Sequence, residues 1–426
     1  MQLEYYFDFS CPYAYLGARA VEQLAKETGA ELSWCPMLLG GLFRSLGDGS
    51  SPMESFSESK SQHNLRDMER FATLTQTPLS MPTSHPMRTV LALRALLASP
   101  SSRWTSVIMS IYQAYWVEGE DITQKSTIED ALKRGGLSSD ETQTAMKGTE
   151  TEEIKTALRE RTDQALSIGV FGAPTTAVVK NDSRTLFWGQ DKIEMIRATL
   201  AGWTPPDAPP ISPTWRGSET KDLRIDFWFD FSSPFAYLAA TQIEAFASAH
   251  NAKLRYRPML LGALFNNIGT PVVPLFAFSE TKQNYFKNEP TRWSSYWRVP
   301  FKFSQHFPIK TVTALRMILA ADSPKDLTHA IFRATWAENR DVSDPDVLRA
   351  IADAAGYDGA ALLEATQSPD VKQALFTNTS EAQELGVFGA PTLTVNHGSK
   401  AKVFWGQDRL SLLDQLLAKN LLAQVD

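Results

Sequence analysis

Two short runs set a small reactive side chain directly before a proline: Cys11 in F-S-C-P-Y-A-Y-L and Ser233 in F-S-S-P-F-A-Y-L. In each, a β-enriched aromatic run ends and a helical run begins. Proline suits the first turn of a helix because its missing N–H had no helical partner. A helix start presents free N–H groups and the positive end of the helix dipole, so it stabilises an anion. At Cys11 that field lowers a thiol pKa, which gives a nucleophile, an anchor for a bound thiol, or an acid/base. At Ser233 the hydroxyl can donate to a bound thiolate or phenolate. Position alone leaves a plain helix cap, worth about 1 kcal/mol, equally open.

A second set of polar side chains repeats at helical spacing: Lys60, His63, Asp67 and Arg70, then Lys282, Tyr285, Glu289 and Arg292. The lysines and arginines can recruit a carboxylate or polarise a carbonyl. The competing reading is a solvated helix face, since a carboxylate lies three residues before each arginine. His63 can shuttle a proton near neutral pH, although a lone surface histidine more often does nothing. Asp191 and Asp408 follow Gly-Gln and precede a helix, so each can cap it. His85 and His306 fall at helix entrances. Trp188, Trp405, Tyr13, Phe235, Phe43 and Phe265 can line an apolar pocket for a planar ligand, or be plain core.

The elements that must position these residues occur twice. Residues 5–17, YYFDFSCPYAYLG, match 227–239, FWFDFSSPFAYLA, at an offset of 222, as do PMLLGGLFRSLG and PMLLGALFNNIG. The offset falls to 217 where GVFGAPT and FWGQD recur, so five residues were lost or gained in the helical middle. Each unit reads β-α-β, then helices with i, i+3, i+4 apolar spacing, then a β-hairpin and a helix. Between the units, residues 204–222 include a proline-rich stretch that reads as a semi-rigid linker. The expected domains are therefore 1–203 and 223–426.

Composition narrows the function. The 426 residues carry a net charge of −6, so no basic field exists to neutralise nucleic-acid phosphates. No window is long and apolar enough for a membrane span, and MQLEYYFDFS lacks the features of a secretory signal. Two cysteines, Cys11 and Cys35, with no C-x-x-C, point to free thiols in the cytoplasm or another reducing compartment. Six scattered histidines give no dedicated metal site.

At F-S-C-P-Y-A-Y-L and F-S-S-P-F-A-Y-L the sequence resembles the 2-hydroxychromene-2-carboxylate isomerases and kappa-class glutathione transferases of the DsbA-like thioredoxin superfamily, over nearly all of each half. The resemblance implies an α/β fold of two thioredoxin-like domains, each with a helical insertion. It implies glutathione as cofactor, with its thiolate handled at Ser233 and, by position, Cys11. The V-F-G-A-P runs, with Val170, Phe171, Ala173 and a cis Pro174, and Ala390 with a cis Pro391, would expose backbone groups to that extended ligand. Asp191 and Asp408 would hold its glutamyl end. A family pattern K-x-x-Y-x-x-x-D-x-x-R falls on Lys60, His63, Asp67 and Arg70 and on Lys282, Tyr285, Glu289 and Arg292. A family asparagine that touches the thiol ligand falls on Asp48 and Thr270.

The implied activity is isomerisation of a phenolic enone or its oxygen-heterocyclic form, with chalcone–flavanone closure obeying the same logic. Glutathione conjugation and a partly decayed scaffold are the alternatives. Relatives pair as dimers of one-domain chains, so the two halves here are expected to form an intramolecular pseudo-dimer around two unequal sites. Cys11, His63 and Asp48 would serve one of these sites; Ser233, Tyr285 and Thr270 would serve the other.

Overall fold

The computed structural model describes residues 1–47, 56–206, 214–396 and 401–425. Asp48 lies outside them. In the first copy, strands β1 (Gln2–Phe7) and β2 (Glu31–Pro36) pair in parallel, joined by helix α1 (Pro12–Thr28). Strand β3 (Thr175–Lys180) runs antiparallel to β1, and β4 (Ser183–Trp188) completes a sheet of order β2-β1-β3-β4. Between β2 and β3 lie α2 (Leu39–Leu46), α3 (Glu58–Thr75), α4 (Val90–Ala98), α5 (Trp104–Trp116), α6 (Lys125–Arg134), α7 (Ser139–Gly148) and α8 (Glu152–Ser167), and α9 (Ile193–Leu200) follows β4.

The second copy repeats this order. Strands β5 (Arg224–Phe229), β6 (Lys253–Pro258), β7 (Thr392–Asn396) and β8 (Ala401–Trp405) form a sheet of order β6-β5-β7-β8. Its helices are α10 (Pro234–Ala249), α11 (Leu261–Asn267), α12 (Glu280–Trp297), α13 (Val312–Ala320), α14 (Lys325–Trp336), α15 (Pro345–Ala354), α16 (Gly359–Ala365), α17 (Pro369–Glu384) and α18 (Arg409–Ala418). Both halves are thioredoxin-like α/β domains with a helical insertion, as expected. None of the described helices is long and apolar enough to cross a membrane.

The central strands are buried on both faces, which is why they read as continuous apolar runs and not as alternation. On one face Tyr6, Met37, Leu42, Val170 and Ala177 pack together, and in the second copy Trp228, Met259, Leu264 and Val387 do so. On the other face aromatic rings stack edge to face: Phe7, Phe9 and Tyr112, and Phe229, Phe231 and Phe332. A buried tryptophan from each insertion fixes the chain just ahead of the turn that carries Cys11 or Ser233. Trp116 Nε1 donates to Phe9 O at 2.9 Å, and Trp336 Nε1 to Phe231 O at 2.8 Å.

These tryptophans also locate the missing residues. They stand 220 apart, so two residues are lost between α13 and α14 relative to α4 and α5. The other three are lost in α16, which has 7 residues where α7 has 10.

The compact units cut across the repeat at one element. One unit comprises Met1–Glu54, Phe71–Trp203 and Ser279–Lys282; the other comprises Ser55–Arg70, Thr204–Phe278 and Gln283–Asp426. The N-terminal part of α3 is thus a building element of the second unit. The linker's end belongs to that unit too. Arg216 donates its N–H and Nη1 to the buried carboxylate of Asp414, and His250 bridges Asp414 and Ser218 at 3.0 Å on each side.

Candidate functional site

In the second unit, Ser233 occupies the N-cap of α10. Its backbone is extended, and its Oγ accepts from Ala236 N–H at 3.1 Å. The same hydroxyl donates to Ala390 O at 2.9 Å. The Ala390–Pro391 bond is cis, so the cap of the helix and the turn before β7 meet at one hydroxyl. From there the site extends along the sheet edge, because Gly406 N–H donates to Pro391 O at 3.0 Å. Gly406 has φ +108°, and a Cβ there would collide with the Asp408 carboxylate, so glycine is required in F-W-G-Q-D.

Trp405 is partly exposed beside this turn, with Phe388 against it at 4.9 Å between ring centroids. The wall is completed by α3. His63 Nε2 accepts from Trp405 N–H at 3.2 Å, and its ring lies 5.2 Å from that of Phe388. Lys60 Nζ sits 3.9 Å from the centre of the Phe56 ring and 5.7 Å from that of Trp405. Asp67 takes both Nε and Nη2 of Arg409, at 2.8 and 3.0 Å. Arg70 Nη1 donates to Val403 O at 2.6 Å, with its guanidinium 3.8 Å over the Phe404 ring.

These contacts revise three expectations. The solvated-face reading of the Lys60–Arg70 segment fails, since His63, Asp67 and Arg70 are buried. His63 is accordingly no surface histidine. Sequence position groups His63 with Cys11, yet α3 carries it to the F-W-G-Q-D turn of the second copy. Asp67 does not pair with Arg70 either; helical spacing allows that pair, but the bidentate fork of Arg409 wins. In α12 the local pair does form. Arg292 Nη1 donates to Glu289 at 2.8 Å and to Tyr285 OH at 3.1 Å. Lys282 falls in the first unit, and Thr270 N–H closes the end of α11 on Phe265 O.

The first unit has the matching turn. Cys11 Sγ donates to Ala173 O at 3.1 Å, Ala173–Pro174 is cis, and Gly189 N–H donates to Pro174 O at 2.9 Å. Val170 and Phe171 are buried, with the Phe171 ring 5.2 Å from that of Trp188. The expected low thiol pKa is corrected here. Burial pushes the Cys11 thiol up to about 12, with the Asp8 charge adding to it, and backbone N–H groups of the helix start only partly offset this. Nor does the Cys11 side chain cap its helix.

Capping by the aspartates is corrected as well. Asp191 lies in a short 3-10 turn ahead of α9 and pairs with Lys192 at 2.9 Å, while Asp408 makes no side-chain cap bond to α18. His85 and His306 stand ahead of cis prolines, each several residues before its helix; His85 Nδ1 meets Tyr115 OH at 2.9 Å. Of the pocket aromatics, Phe265 is core, and Trp188, Tyr13, Phe43 and Phe235 are half-buried.

Sequence reasoning passed over Asp8 and Asp230. Both are buried, three residues before Cys11 and Ser233 respectively. Asp230 accepts from Ser232 N–H, Leu261 N–H and Thr311 Oγ1 at 2.9, 2.8 and 2.6 Å, joining the turn to α11 and α13. Asp8 repeats this with Ser10 N–H and Leu39 N–H. Burial raises both carboxyl pKa values and these hydrogen bonds only partly offset it. The signal was available: F-D-F recurs in both copies, and an acid inside a buried strand needs partners.

The family model of the DSBA-like thioredoxin domain matches residues 2–201 and again 224–418, and the chain belongs to that family as a tandem duplicate. A 2-hydroxychromene-2-carboxylate isomerase of Sphingobium xenophagum is 28% identical over 200 residues, covering 45% of this chain and 97% of the relative. A glutathione S-transferase kappa 1 of Rattus norvegicus is 27% identical over 219 residues, covering 49% of this chain and 96% of the relative. A solved structure of a 2-hydroxychromene-2-carboxylate isomerase aligns with TM-score 0.42 at 25% identity, over 47% of this chain and 97% of that one.

Proposed function

We propose that the chain is an intramolecular isomerase of a phenolic enone or its oxygen-heterocyclic form, assisted by glutathione, with its working site at Ser233. The observation that carries this reading is the Ser233 hydroxyl, held at the start of α10 against the carbonyl before cis Pro391, on a strand whose first residue, Thr392, pairs with Trp405, the ring that His63 and Lys60 approach. Such a reaction needs a donor to a phenolate, enolate or thiolate, a partner for the second oxyanion, and a flat apolar wall. The Ser233 hydroxyl at the start of α10 supplies the first. Lys60 supplies the second. Trp405 and Phe388 supply the wall. His63 Nε2 is committed to the Trp405 backbone, so its part is to hold that wall in place.

The residues present fit glutathione. Ser233 would face the thiol, the Ala390 backbone the cysteinyl amide, Asp408 the ammonium, and Lys60 a carboxylate. When bound, glutathione supplies a thiol that adds reversibly to an alkene and permits rotation about it. Arg70 and Arg292, expected as ligand contacts, are instead turned to Val403 and to Glu289 and Tyr285, which supports a role for them in shaping the helices. The relatives named as isomerases support the substrate class, and the relative named as a kappa-class transferase supports conjugation as the second reading.

The test is to incubate the protein with 2-hydroxychromene-2-carboxylate, with a 2′-hydroxychalcone and with an electrophilic acceptor, each with and without glutathione. Product of unchanged mass supports isomerisation. A mass gain equal to glutathione would instead establish a transferase. No turnover of any of the three refutes both readings.

A further inference from the structure

Away from the Ser233 turn, three side chains of the second unit meet from three elements: Glu244 on α10, Tyr256 on β6 and His329 on α14. Tyr256 OH donates to Glu244 Oε1 at 3.1 Å, and His329 Nε2 lies 3.2 Å from Tyr256 OH and 3.3 Å from Glu244 Oε1. The Tyr256 ring stands edge-on to Phe227 and Phe229, at 5.7 and 6.1 Å between centroids, which fixes its oxygen in place. The His329 and Glu244 side chains are 34% and 41% exposed, so small ions in solution reach them.

Hydrogen bonds alone do not complete this triangle. A carboxylate only accepts, a phenol carries one proton, and a neutral imidazole presents at most one at Nε2. Three edges therefore share at most two protons. One cation would satisfy all three donor atoms at once. A triangle with edges of 3.1, 3.2 and 3.3 Å has a circumradius of about 1.85 Å, so an ion about 2.1 Å from each corner sits about 1 Å off its plane. That is the bond length of zinc to imidazole nitrogen and to carboxylate oxygen.

The fold does not require the trio. In the first copy Glu22, Trp34 and Met109 hold the equivalent positions. There Glu22 pairs with Lys26 on its own helix, and Trp34 Nε1 donates to Thr105 Oγ1 at 2.9 Å. Among the described residues no three of His, Cys, Asp and Glu stand together as a metal-binding group, so the phenol is what makes a third ligand here. Sequence spacing conceals it, since Tyr256 stands 12 residues from Glu244 and 73 from His329. The charged neighbour is Lys325, whose Nζ lies 4.0 Å from Glu244 Oε2, the carboxylate oxygen that faces away from the triangle's corner.

We propose that Glu244 Oε1, Tyr256 OH and His329 Nε2 form a binding site for a divalent transition-metal ion of the class that takes imidazole and oxygen ligands, as zinc does. On binding, Tyr256 releases its proton to solvent and coordinates as phenolate. The ion ties α10, β6 and α14 together, and its fourth position is open to water. This site is independent of the isomerase reading.

The test titrates Zn2+ into the full chain, first freed of metal with a chelator. Calorimetry and ultraviolet difference absorbance are read together. The expected result is saturable binding of one zinc with a phenolate difference band, and a raised melting temperature. His329→Ala and Glu244→Gln should each weaken binding by at least about 10–100-fold, the loss that even an outer-shell partner brings. Tyr256→Phe keeps the ring and should abolish the phenolate band while weakening binding. Lys325→Ala removes a competing positive charge and should tighten it. His306→Ala, at a histidine 3.6 Å from Asp341, should leave the isotherm unchanged. Circular dichroism verifies that each variant is folded. A wild-type chain without saturable zinc binding, an undiminished affinity in His329→Ala, or binding without a phenolate band overturns the proposal.

Discussion

Replacing Ser233 by alanine separates its two duties. Structurally the hydroxyl caps α10 through Ala236 N–H and satisfies Ala390 O. Loss of an N-cap costs about 1 kcal/mol. Stranding a buried carbonyl costs about 1–3 kcal/mol more. The second unit should therefore unfold about 2–4 kcal/mol more easily in a urea titration. The chemical effect is different in kind. A hydrogen bond to a charged acceptor is worth about 1.5–3 kcal/mol, so the glutathione-dependent isomerisation rate should fall by a factor of about 10–150. The assay is initial rate by ultraviolet absorbance, measured well below the unfolding transition and in a Cys11→Ala background, which removes any contribution of the first copy. Ser233→Cys should recover part of the rate, since a thiol donates weakly. A folded Ser233→Ala, Cys11→Ala protein with an undiminished rate would refute the placement of the site.

Asp67→Ala removes one half of a buried bidentate pair. Arg409 keeps Asp408 at 3.3 Å, so the cost should fall near the low end of the range for such losses, about 3 kcal/mol, measured by denaturant midpoint. Gly389→Ala places a Cβ 2.5 Å from Trp405 Nε1; the ring must move, and a shifted tryptophan emission maximum with about 1–3 kcal/mol of lost stability is expected. Asp230 has a folded pKa above its unfolded value, so its contribution to stability is present at low pH and is lost as pH rises through the folded pKa. Asp230→Asn should remove that component, so the difference in melting temperature between variant and wild type should vary between pH 3 and 7. A constant difference would contradict the raised pKa.

Much of this was legible in the sequence. Repeats such as V-F-G-A-P-T and F-W-G-Q-D carry backbone constraints, and such constraints are local: a glycine at φ +108° or a proline at the start of a strand announces itself by type. The turns that carry Cys11 and Ser233 recur for the same reason. Lost to sequence reasoning was whatever depends on environment. A helix start lowers a thiol pKa when water is near; at Cys11 burial away from water outweighs the helix start and the direction reverses. A polar helix face reads as solvated until the partner surface is known, and His63, Asp67 and Arg70 are polar because Trp405, Arg409 and Val403 are what they meet.

The segment that runs from Ser55 to Arg70 carries one more implication. By descent it is the sibling of the segment containing Lys282 and Tyr285, but by trade it works with residues 403–409. Mutations at Lys60 or His63 should thus be compensated by changes in the F-W-G-Q-D turn more than three hundred positions away, and not by changes near Cys11. Cutting the gene at the linker would give two halves of family-like length, with residues 403–409 of the second half lacking the partners that α3 gives them. Ancestry here follows the repeat, while packing follows a different partition of the same chain.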